Sequence, residues 1–138
     1  MSRGTRAAWS RAWAAPVSLL GLVLALWLSA LARTRWQLVD GVIEVAPGGP
    51  SRARRARWLN ALPFDAITLG HVVIGSSAAS LQALRAHEHA HVRQYERWGV
   101  FLLIAYPVAS LGLLVVGRRP YLDNPFEVQA REAETRRR

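Results

Sequence analysis

Two uncharged apolar runs divide the chain, Pro16 to Ala32 and Val100 to Val116. Each is near the lower length limit for a helix that crosses the roughly 30 Å hydrocarbon core of a bilayer. Between them the pattern changes. Gln37 to Val45, with Asp40-Gly41 inside, predicts a short hairpin or two small strands. Ala66 to Gly75 is rich in β-branched residues and bounded by glycine, which predicts a strand. The stretch from 78 to 98 predicts one amphipathic helix, with Ser76 or Ser77 as its N-cap and Gly99 just past its end. Asn124 followed by Pro125 reads as the N-cap and first residue of a last helix. The expected fold class is α+β, a small unit of short strands and helices that carries one or two hydrophobic membrane helices.

The amphipathic helix also carries the chemistry. Residues 87 to 91 read His87-Glu88-His89-Ala90-His91, which contains HExxH. At roughly 100° per residue, Leu81, Leu84, Glu88, His91, Tyr95 and Trp98 share one stripe, with His87 at its edge. Gln82, Arg85, His89, Arg93 and Glu96 lie on the other side. His87 and His91, at i and i+4, can grip one zinc ion while Glu88 stands beside them as a general base for a water molecule. Two histidines and a carboxylate facing an apolar interior are costly unless something pairs them, and a metal would. His89 is expected to face outward as a bystander. The competing reading is a helix whose histidines only hydrogen-bond.

A zinc site needs a third protein ligand. No histidine follows His91 and the chain has no cysteine, so the candidates are carboxylates. Glu127 falls in the first turn of the helix opened by Asn124-Pro125. Here the chain resembles the gluzincin branch of zinc metallopeptidases, in which a glutamate on a later helix completes HExxH, commonly with a small residue three positions on. Glu127 with Ala130 fits that arrangement, and His91-Val92-Arg93-Gln94 is similar to the segment that often follows the motif in small bacterial members. The resemblance covers roughly 65 to 135. It implies a minimal zincin-like unit with His87, His91 and Glu127 as metal ligands, Glu88 as general base, Zn2+ as cofactor and a peptide or protein as substrate. Glu127 also has a plain reading, as the N3 residue of a capping box paired with Arg131. Glu132 and Glu134 are the fallback ligands. Asp123 is a candidate second partner that orients a histidine. His71 either lines the cleft or is an ordinary hydrogen-bonded strand residue.

The apolar runs set the domain plan. Pro16 to Ala32 is flanked by Arg3, Arg6, Arg11, Trp9 and Trp13, which suits a retained membrane anchor. A cleaved signal peptide ending at Ala30-Leu31-Ala32 is the alternative. Residues 1–35 are therefore read as anchor or signal peptide, and 36–138 as a zinc metallopeptidase-like domain that includes 100–116. The second run creates a conflict, because a full crossing would separate His87 and His91 from Glu127. Either the run dips and returns, broken at Pro107 or seated as a kinked helix, or it spans and Glu127 is only a cap.

The chain has 138 residues, enough for one domain, and a net charge of +9 carried entirely by arginine. Arg52, Arg54, Arg55 and Arg57 cluster beside a Gly/Pro-rich linker. Next to apolar runs such clusters suit anionic membrane lipids, and no nucleic-acid partner is expected. Without cysteines, disulfides and thiolate metal sites are excluded. The expectation is a membrane-anchored zinc-dependent hydrolase, most simply a peptidase. The alternative is a non-catalytic membrane protein with a structural metal site or none.

Overall fold

The computed structural model describes residues 3–48 and 64–136. The arginine cluster at 52 to 57 lies outside the described residues. Helix α1 (Arg3–Leu31) leads into strands β1 (Thr34–Val39) and β2 (Val42–Pro47). Strands β3 (Ala66–Leu69) and β4 (Val72–Gly75) follow, then helices α2 (Ala78–Trp98), α3 (Leu102–Val115) and α4 (Pro125–Thr135). The α+β class expected from the sequence is the class observed.

Sequence chemistry sets the strand ends. Asp40-Gly41 closes β1 on β2 with Val39 opposite Val42, and both turn residues have positive φ. That is the two-residue hairpin turn which Asp-Gly favours. The run from 66 to 75 is two strands, not the single strand expected. Gly70, with φ 62, folds the chain so that Leu69 pairs with Val72. A left-handed backbone at this interior glycine makes a turn where an unbroken strand was expected. The four strands form one mixed sheet in the order β1-β2-β4-β3, with β2 and β4 parallel.

Period-two alternation then assigns the two sheet faces. Val45, Val72 and Ile74 pack against Ala25 and Leu28 of α1. Val42, Ala46 and Val73 pack against Leu81 and Val92 of α2. Helix α1 therefore covers one face with a stripe of Val17, Gly21, Ala25 and Leu28, while Leu19, Leu20, Val23, Leu26 and Trp27 on its other side are exposed. A side chain at Gly21 would collide with the Leu69 carbonyl, so the helix lies close on the sheet. Although uncharged all round over its apolar run, α1 buries one narrow stripe and leaves most of its surface exposed.

Two helical stretches, 4–31 and 78–115, are long and apolar enough to cross a membrane. The second is sharply bent. Gly99 has φ 58 and ψ −139, far from helical values, and its N–H donates to the Tyr95 carbonyl as the cap of α2. His91 and Tyr106, fifteen positions apart, would be about 22 Å apart along a straight helix. Their ring centroids are 6.5 Å apart. The chain therefore turns at Gly99, as the cap reading of that residue implied, and α3 comes back beside the site. The break expected at Pro107 is absent, since α3 runs through that proline unbroken.

Candidate metal centre

Two helices bring three side chains together. His87 and His91 sit one turn apart on α2, whose start is fixed by Ser77 accepting from the Ser80 N–H. Glu127 sits in the first turn of α4, where Asn124 caps the helix by accepting from the Phe126 N–H. Asn124 is itself buried, and its amide donates to the Tyr106 carbonyl and the Ser110 hydroxyl of α3. One asparagine therefore starts α4 and ties it to α3.

His87 Nε2 lies 3.2 Å from Glu127 Oε2 and 3.3 Å from His91 Nε2, and His91 Nε2 lies 3.4 Å from Glu127 Oε1. Ligands 2.0–2.1 Å from a tetrahedral zinc are separated by roughly 3.3 Å. The two nitrogens have that spacing from each other and each has it from one carboxylate oxygen, Oε2 for His87 and Oε1 for His91. Glu127 Oε2 is buried and, despite its nearness to His87, makes no hydrogen bond of acceptable geometry. A lone pair aimed at a shared point, with no proton on the line, is what a cation would satisfy. Among the described residues, His87, His91 and Glu127 form the one group of three or more such side chains able to hold a metal ion.

The surroundings fix these groups. Gln94 Oε1 is 2.8 Å from His91 Nδ1, and the Gln94 amide donates to the Phe126 carbonyl. With Nδ1–H donating to Gln94, Nε2 is left as the lone-pair nitrogen that faces the group. The Tyr106 hydroxyl donates to Glu127 Oε1 at 2.7 Å. Burial by itself would raise the Glu127 pKa, but the adjoining His87 and His91 and the Tyr106 hydroxyl outweigh it and hold the carboxyl below the usual carboxylate range. A charged, acceptor-only carboxylate is the form that binds a cation.

Glu88 is buried next to this group without joining it. Its Oε2 accepts a 2.6 Å hydrogen bond from Thr68 on β3. Several other expectations change. Asp123 orients no histidine but is bound by Arg119. His71 lies in the β3–β4 turn, between Ser18 and Glu96. Glu132 and Glu134 stand outside the metal group. His89 is no outward bystander. It is buried, 3.2 Å from the buried carboxylate of Glu44, which also takes two hydrogen bonds from Arg85 and one from Gln37. The helical wheel allowed α2 one buried face, whereas the sheet lies on one side of it and α4 on the other.

Sequence reasoning missed Gln94, Tyr106, Thr68 and Glu44. Signals existed for two of them. Tyr106 is the polar aromatic in an otherwise apolar run, and buried tyrosine hydroxyls usually have a partner. Glu44 is the single charge in Val42-Ile43-Glu44-Val45-Ala46. In comparisons with protein families, curated proteins and solved structures, nothing matches this chain.

Proposed function

We propose that the chain is a membrane-anchored zinc-dependent hydrolase, a peptidase of the gluzincin type, with His87, His91 and Glu127 as ligands and Glu88 as general base. The observation that carries this reading is that His87, His91 and Glu127 each bring a ligand atom within 4.8 Å of the others, in a largely buried group. Zinc bound there would make a water more acidic and polarise a scissile carbonyl. Glu88 would hold the proton taken from the attacking water and return it to the leaving amine. Thr68, on Oε2, leaves Oε1 of Glu88 for that proton. Exposed apolar side chains on α1 and α3 support the membrane placement, because soluble monomers rarely expose such surfaces.

One observation favours a second reading. His87, His91 and Glu127 have side-chain exposures of 9, 12 and 4%, and such closure suits a structural metal in a non-catalytic membrane protein. Glu88→Gln separates the two readings. The hydrolase reading expects that variant to keep its metal and lose at least about a hundredfold of its hydrolysis of a fluorogenic peptide library. Equal rates in both forms, or no rate in the wild type at full metal content, leave the structural reading.

A further inference from the structure

Helix α3 looks like a second span by composition, and its surroundings argue otherwise. It has 14 residues, about 21 Å of helix against a hydrocarbon core of roughly 30 Å. The bend at Gly99 prevents α2 from lengthening it. Residues 116–124 then fold back along it as irregular chain. The Arg118 N–H donates to the Leu113 carbonyl, the Ser110 hydroxyl to the Pro120 carbonyl, and the Asn124 amide to the Tyr106 carbonyl. Any depth reached by residues 106 to 113 is therefore shared by Arg118, Arg119 and Asp123. Lipid-facing irregular backbone and charges do not sit in the hydrocarbon core.

The helix nevertheless has a lipid-like face. Ile104, Val108, Leu111 and Val115 recur every three or four positions and are 60–78% exposed. The opposite stripe, which includes Leu102, Tyr106 and Ala109, packs on the protein core. At the far end stand Arg118 and Arg119, whose side chains are 63 and 70% exposed. At the near end Phe101 contacts Trp13 of α1, so the exposed faces of the two helices adjoin. An apolar stripe bounded by aromatics at one end and arginines at the other fits the headgroup–acyl boundary of an anionic leaflet.

We infer that α3 does not cross the membrane but lies in the plane of one leaflet, with Ile104, Val108, Leu111 and Val115 among the upper acyl chains. Tyr106 on its opposite side would then hold the metal-binding Glu127 at the membrane surface. The inference rests on the membrane placement proposed above and is independent of zinc chemistry.

The chain has no cysteine, so single ones can be introduced at Ile104, Leu111 and Val115, with Leu20 on α1 and Gln82 on α2 for comparison. Each variant, checked for wild-type tryptophan emission, is labelled with a polarity-sensitive fluorophore. It is then reconstituted in vesicles of phosphatidylcholine and phosphatidylglycerol in equal parts. Nitroxides placed near the headgroup or at the acyl terminus of the lipids report depth. In-plane seating gives blue-shifted emission at all three α3 positions, each quenched more by the shallow nitroxide than by the deep one. A depth that changes steadily from Ile104 to Val115 overturns it in favour of a span. Emission that is blue only at high protein density overturns it in favour of a second copy of the chain. Water-like emission on α3 with lipid quenching at Leu20 overturns it while the membrane placement stands. Water-like emission at Leu20 as well overturns both.

Discussion

Helix α2 presents a buried histidine–carboxylate cluster on each of two opposite sides, and the two are finished differently. Facing β2, Glu44 meets His89, Gln37 and the fixed positive charge of Arg85, and both its oxygens are hydrogen-bonded. Facing α4, Glu127 meets His87, His91 and a neutral tyrosine, and Oε2 is left without a hydrogen bond. A buried carboxylate needs a cation or a full set of donors. The first cluster carries its own cation. The second has none of its own and could hold a metal ion. The two clusters share histidine beside glutamate and differ in the fixed positive charge of Arg85.

The largest expected effect comes from removing that fixed charge. Arg85→Met leaves Glu44 buried and short of its cation, and should cost about 3–5 kcal/mol in denaturant unfolding. Glu127→Gln, measured in chelator, should cost much less, on the order of 1 kcal/mol for an altered hydrogen-bond set. Equal losses in the two variants would erase the contrast.

Next come the groups that aim the ligands. Tyr106→Phe and Gln94→Ala should each weaken metal binding by about 10–100-fold, measured by competition with a chromogenic chelator, while the stoichiometry holds. The same substitutions should leave the unfolding cost of Arg85→Met unchanged, since the two clusters share no partner. Unaltered affinity in both variants would mean that the hydrogen bonds to His91 and Glu127 do not position them.

The smallest effect is that of acid. For Glu44, burial raises the pKa, but hydrogen bonds from Arg85 and Gln37 and the Arg85 charge outweigh it, so the carboxyl lies below its usual value of 4.5. A lowered folded pKa gives stability that is fully present above the unfolded pKa and lost as pH falls through the folded one. Glu127 behaves in the same direction. Metal-free protein should therefore lose stability on acidification below about pH 4.5, and Glu44→Gln should flatten that loss, as read by tryptophan emission. An unchanged slope would show that the Glu44 network does not stabilise the fold through its charge.

How much of this the sequence revealed depended on how local the cause was. Ser77, Gly99 and Asn124 act within one turn of the chain, and all three caps were legible. The histidine pair needed only a helical repeat on α2, whereas Glu127 was singled out by the resemblance to gluzincins, since its capped first turn alone reads equally as a cap. What failed was tertiary. His89 was placed by a wheel that allowed α2 one buried face, and the helix has layers on both sides. Pro107 was given a break that Gly99 makes, because the positive φ of a glycine cannot be told from an ordinary cap until the following helix is seen to turn. The conflict over Val100 to Val116 arose from treating an apolar run as straight. The bend at Gly99 and the return of 116–124 remove it.

The contrast between the two sides of α2 is tested most directly by metal content. Wild type, His91→Ala, Glu127→Gln and His89→Ala would be purified in detergent, equilibrated with the same limiting zinc and analysed for metal per chain. The account predicts about one zinc in wild type and His89→Ala, and little in His91→Ala or Glu127→Gln. Equal zinc in all four, or loss in His89→Ala with retention in Glu127→Gln, would contradict it.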